Sequence, residues 1–174
     1  MSATEFSRIE RLDTIGADAR EVRIVADAAE RAALARRFDL LSVERLEAVI
    51  TIRREAAGIA ARGTVSAAVV QPCSVTGDPV PSAIEEPVAL LFVDAGHGVE
   101  EEVELDADAL DTIEIEGGGI DLGEAAAETM ALALDPFPRS PAAAAALKDA
   151  GVVSEEEAGP FGALAGLKDK LAKK

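Results

Sequence analysis

VERLEAVITIRR, residues 43–54, decides how the rest of the chain is read. Leu46, Ala48, Ile50 and Ile52 fall on one side of this run, and Arg45, Glu47, Thr51 and Arg53 on the other. Successive side chains of a strand point to opposite faces, so a period of two predicts a strand with one face buried and one in water. Gly58 interrupts the pattern, which resumes over 59–70 with Thr64 and Ser66 on the outward side. Two such runs across a short turn make a hairpin. A turn follows over 71–81, marked by Pro72, Gly77, Pro79 and Pro81. Residues 82–93 form a third long strand. Pro87 assigns it to an edge or a bulge, because proline donates nothing to a ladder.

Toward the N-terminus, 21–25 alternates and 5–12 reads as a short strand. Asp27 is placed to cap a helix over 28–38, which ends across Asp39 to Ser42. Toward the C-terminus, 94–111 reads as an acidic loop, 110–116 as a short strand and Gly117 to Gly119 as a breaker. Asp121 with Glu124 three residues on predicts a capping box with an acid in the Ser/Thr place. Leu122, Ala125, Ala126, Thr129, Met130, Ala133 and Leu134 then mark an apolar stripe, and the helix must stop before Pro136. The expected fold is α+β: a central antiparallel sheet with two packed helices in a domain over 1–138. Residues 139–174 read as a semi-flexible tail. The alanine run 142–146 and the Gly- and Glu-containing stretch 151–159 read as a mobile linker. Beyond it, Phe161, Leu164, Leu167 and Leu171 are spaced by three or four residues and edged by Lys168, Lys170, Lys173 and Lys174. Such a short amphipathic segment docks on its own domain or on a partner.

A chain of 174 residues buries about 70% of its unfolded surface, enough for a core without staples. The core must come from small aliphatics, since only 3% of residues are aromatic and none is Trp or Tyr. A single cysteine, Cys73, permits no internal disulfide and fits a reducing, cytoplasmic setting. The first ten residues contain no apolar leader core, and no stretch approaches the length of uncharged apolar sequence that spans a membrane. The net charge of −16 is uneven. Residues 1–62 hold 11 Arg against 11 acids, residues 63–138 hold 17 acids and no Lys or Arg, and every Lys lies at or after Lys148. A stretch without cations does not attract phosphate, so DNA is excluded as a partner and RNA is disfavoured. A basic protein fits this field better. Direct RNA binding survives as an alternative if the arginines of the first third gather on one face, that of strand 43–54.

No catalytic set emerges. His97 sits between two glycines with no Ser or Cys at a recognisable spacing, which reads as an exposed loop histidine. The twelve acids from Asp94 to Glu124 do not follow the calcium-loop pattern and read as a solvated surface. Gly117 to Gly119 before a helix has the look of a phosphate-binding turn, but Asp121 and Glu124 would repel the ligand. One Cys and one His cannot complete a zinc site. No basic neighbour in sequence favours a thiolate at Cys73, which reads as a small half-buried hairpin residue. The expectation is a non-enzymatic protein with no cofactor and no metal. A hydrolase or nuclease, the rival class, would need acids clustered around a divalent ion.

Three segments in order resemble the bacterial YceD family, the large ribosomal RNA subunit accumulation proteins. The first runs from Val69 to Val80 around Cys73; the family often carries a second cysteine three residues later, where this chain has Thr76. The second is Ile120-Asp121-Leu122-Gly123-Glu124 through Leu134-Asp135-Pro136-Phe137-Pro138. The third is Gly159 to Lys168, containing Pro160-Phe161, Leu164 and Leu167. The resemblance spans about residues 5 to 171. It implies a role in accumulation of large-subunit ribosomal RNA, with a ribosomal protein or pre-ribosomal particle as partner, and it brings no catalytic residues.

Overall fold

The computed structural model describes residues 5–94, 110–115 and 117–152. The chain divides into two compact units, Met1–Gln71 with Pro81–Pro136, and Pro72–Val80 with Phe137–Lys174. The elements in chain order are β1 Ile9–Arg11, β2 Arg20–Val25, α1 Ala28–Arg37, β3 Ser42–Glu55, β4 Gly58–Pro72, β5 Pro79–Asp94, β6 Asp111–Ile115, β7 Gly119–Asp121, α2 Leu122–Leu132 and α3 Ala143–Asp149.

Residues 43–54 lie in β3, an interior strand of the main sheet. Its strand order is β2-β3-β4-β5-β6. β3 pairs antiparallel with β2 on one side and β4 on the other, with Ile50 opposite Val22 and Gly63. Leu46, Ala48, Ile50 and Ile52 are all buried, as are Ile59, Val65 and Val69 of β4. Each Val, Leu or Ile among them, withdrawn from water, contributes about 1.5–3 kcal/mol. Leu34 and Ala35 of α1, and Ala125, Ala126 and Met130 of α2, join the same core. The α+β architecture therefore stands, with one correction. β6 runs parallel to β5, from Leu90 opposite Asp111 to Asp94 opposite Ile115, so the sheet is mixed. Pro87 does not put β5 at the sheet edge. It lies in the part of β5 that precedes the β6 pairing, where one side of the strand carries no β6 ladder.

The N-terminal strand is shorter than 5–12. Only Ile9–Arg11 is extended in a ladder, and its partner is β7 in a separate two-stranded sheet. The preceding Phe6 is fully buried in the core.

Both helices start on aspartate, but the reciprocal box forms at the one where only a simple cap was expected. Asp27 accepts the Glu30 N–H at 2.8 Å, and the Glu30 carboxylate accepts the Asp27 N–H at 2.7 Å. Arg8 also clasps Glu30 at 2.7 and 2.9 Å and holds its carboxyl below the usual range. At α2, Asp121 accepts the N–H groups of Gly123 and Glu124, while the Glu124 carboxylate turns to Arg37 instead, at 2.5 and 2.9 Å. Helix α1 ends on Asp39 in the left-handed region at φ 53°, which lets Leu40 N–H reach the Ala35 carbonyl at 2.9 Å. Helix α2 stops at Leu132, two residues short of the expected end.

In the second unit, the alanine run read as the start of a mobile linker is helical over Ala143–Asp149. Alanine has the highest helix propensity of all residues, and this outweighs the breaker signals around the run. Residues 153–174, and with them the amphipathic segment, lie outside the described residues.

Candidate functional site

The Cys73 turn belongs wholly to the second unit. Cys73 N–H donates to the Asp78 carbonyl at 2.7 Å, and Gly77 N–H returns to the Cys73 carbonyl at 2.9 Å. Gly77 at φ 76° makes this reversal possible, a conformation that side chains resist. Thr76 and Ser140 hydroxyls both bond the Asp78 carboxylate, at 2.6 and 3.2 Å, and approach each other at 3.2 Å. Pro138 is buried, and its carbonyl accepts the Ser74 N–H at 2.8 Å and the Ser74 hydroxyl at 3.1 Å.

The Cys73 sulfur accepts the Ser140 N–H at 3.2 Å and the Val75 N–H at 3.5 Å. Backbone donation from Ser140, then the Thr76 hydroxyl, draws the thiol down to about 6 against an ordinary value near 9. No cation stands beside Cys73 in the sequence. The thiolate is favoured by N–H and O–H dipoles, the first of which comes from a residue 67 positions away, which spacing along the chain does not reveal. Cys73 is also buried rather than half-buried. Thr76, standing where the family often has a second cysteine, braces the turn through Asp78.

The helix motif as far as Pro136 sits in the first unit, and its bonds tie that unit together. Beyond capping α2, Asp121 accepts the Ser7 hydroxyl at 2.5 Å and the Arg8 N–H at 2.7 Å, so it ties the N-terminal segment to the helix. Leu122 is fully buried in the core. Glu124 is held by Arg37. Just before the exposed Pro136, the Asp135 carbonyl accepts the Gln71 amide at 2.9 Å.

The remaining expectations divide. Phe161, Leu164, Leu167 and Lys168 lie outside the described residues, as does His97. The outward face of β3 is described, and its arginines are paired. Arg45 and Arg23 reach Glu47, while Arg53 and Arg62 reach Glu55. Glu47 and Glu55 each serve two arginines, so pairing lowers the positive charge of this face, and with it the counterion release to a phosphate backbone, without cancelling it. Among the described residues, no group of three or more His, Cys, Asp or Glu is placed to hold a metal ion, and no helix is long and apolar enough to cross a membrane.

The first unit holds one more feature. Between α2 and β6 lie two adjoining hollows of about 830 and 410 Å³, whose walls share Ile113, Ala125 and Glu128. Ile9 and Leu132, exposed to 67% and 88%, stand in their walls. The only trace in the sequence is Leu132 itself, an apolar residue off the predicted stripe near the helix end.

A family model described as the large ribosomal RNA subunit accumulation protein YceD matches residues 61–168. That span holds the Cys73 turn, the α2 motif and the hollows' acidic walls, and ends at Lys168. Neither the curated proteins nor the solved structures yield a match.

Proposed function

The chain belongs to the YceD family, the large ribosomal RNA subunit accumulation proteins, and on that footing we propose that it acts without catalysis, as a cytoplasmic adaptor that binds a basic component of the large subunit. What carries this reading is the distribution of unmatched charge. Residues 1–62 balance, with 11 Arg against 11 acids, and on the sheet face Arg23 and Arg45 share Glu47 while Arg53 and Arg62 share Glu55. Residues 63–138 contain no cation to offset their 17 acids. The field that reaches a partner is therefore negative on the segment that the family model covers. A basic polypeptide is drawn to it, and an RNA backbone is repelled. Phe161, Leu164, Leu167 and Lys168 add an apolar contact of the kind a groove accepts, on grounds of their spacing.

The test uses the immobilised full chain. Proteins extracted from purified large subunits are passed over it at about 0.15 M salt, and protein-free large-subunit ribosomal RNA is passed over separately. One or a few basic proteins should be retained and the RNA should pass through. Tight, sequence-selective retention of the RNA replaces the adaptor with an RNA-binding module.

A further inference from the structure

The hollows between α2 and β6 have an apolar floor and an acidic rim. Phe92, Ile113, Ile115 and Leu132 provide the floor and one end, and Glu86, Asp111, Glu114 and Glu128 the rim. Among the described residues none of these four carboxylates takes part in an ion pair. Arg11, the cation in the wall, is already held by Asp13 at 2.7 Å.

We propose that this groove docks a basic, amphipathic polypeptide segment of a partner protein. Its apolar side chains would rest on Ile113, Ile115 and Leu132, and its Lys or Arg side chains would meet Glu114 and Glu128. The proposal rests on the adaptor reading and names its surface. Three features select the occupant. Leu132 and Ile9 are large apolar groups left in water, which a docked apolar face would cover. The rim holds carboxylates that have no ion-pair partner among the described residues, which favours a cation and repels phosphate. The groove follows α2, whose 11 residues extend about 16 Å, the length of about three helical turns. That is the footprint of an amphipathic helix in a groove, with anchors at i, i+3 or i+4 and i+7.

The probe is a synthetic three-turn peptide with Leu on one face and Lys elsewhere, titrated into the isotope-labelled full chain. Amide shifts should concentrate at Ile113, Ile115 and Leu132. The double substitution Glu114→Gln/Glu128→Gln, at two exposed positions, should weaken binding about fivefold, in line with the modest value of exposed ion pairs. Leu132→Ser should weaken it independently of salt. Equal binding of a scrambled peptide of the same composition, or of a peptide with Glu in place of Lys, overturns the proposal. So do shifts confined to the outward face of β3 and β4. Phe161→Ser/Leu164→Ser/Leu167→Ser in the full chain, if it binds the probe far more tightly than the unsubstituted chain, makes the protein's own C-terminal segment the occupant, which also overturns it. The mixture of large-subunit proteins separates this from the adaptor reading. Undiminished capture by the double variant removes the groove and leaves the adaptor; no capture by the unsubstituted chain removes both.

Discussion

Asp121 gathers more bonds than a helix cap requires. Two N–H groups of α2, the Ser7 hydroxyl and the Arg8 N–H all end on its carboxylate. Loss of a cap alone costs about 1 kcal/mol, and stranded donors on the N-terminal segment add to it. Asp121→Ala should therefore destabilise the domain by about 2–3 kcal/mol in urea unfolding, more than a simple cap, while Asp121→Asn should recover part of the loss. An effect near zero would show that water replaces the carboxylate on both partners. Cys73 makes a prediction of a different kind. Its folded value, drawn down to about 6 by the Ser140 N–H and then the Thr76 hydroxyl, lies below its ordinary value near 9. The unfolded chain thus holds the proton to higher pH. The resulting stability is complete above about 9 and is lost as pH falls through about 6. As the chain has one cysteine, ultraviolet absorbance of the thiolate reports it directly. The native midpoint should fall near 6 and the denatured one near the ordinary value. A native midpoint above about 8 would mean that the N–H dipoles do not act on the sulfur.

At the scale of elements, β3 and β4 fit together through a glycine. A Cβ added to Gly63 would stand 2.0 Å from the Val49 carbonyl oxygen and 2.7 Å from the Ile50 Cα, so backbone rather than a flexible side chain blocks it. Gly63→Ala should cost about 1–3 kcal/mol, the range for overpacking in a filled interior, read as a lower urea midpoint at unchanged slope. Gly77→Ala, at a turn with open space around it, should cost less, from its φ alone. The contrast shows which elements the sequence could disclose. β3 and β4 were legible because a half-buried strand writes its burial as alternation, and Leu46 to Ile52 and Ile59 to Val69 point as that alternation requires. Asp27 and Asp121 were legible as caps because a cap is local. The parallel direction of β6, the pairing of β1 with β7 and the turn of Glu124 to Arg37 depend on residues far apart in sequence. No local pattern encodes them. The same holds for the site. The Cys73 turn was visible as a turn, but its donors on Ser140 were not, and the groove is made by α2 and β6, which a period within either element does not reveal.

The whole molecule is polarised in charge along its sequence, and this has a kinetic consequence. Residues 1–62 balance to zero, residues 63–138 contribute only acids, and the lysines stand at the C-terminal end. Charge of one sign on one segment attracts a basic partner over distances comparable to the Debye length, about 10 Å at 0.1 M salt and about 3 Å at 1 M. Capture by a neutral surface would instead depend on contact alone, and contact is little affected by salt. On the adaptor reading, the association rate of a basic large-subunit component should therefore fall steeply between about 0.05 and 0.5 M salt. The dissociation rate should change much less, because apolar contact in the groove is not screened. Substituting the rim acids Glu114 and Glu128 by Gln should flatten the salt dependence of association, whereas Leu132→Ser should leave that slope intact and raise the dissociation rate. Stopped-flow mixing at a series of salt concentrations separates the two. Association that is flat in salt would show that the acids of 63–138 solvate the surface and do no steering, and parallel salt dependence of both rates would place the carboxylates in the bound contact itself.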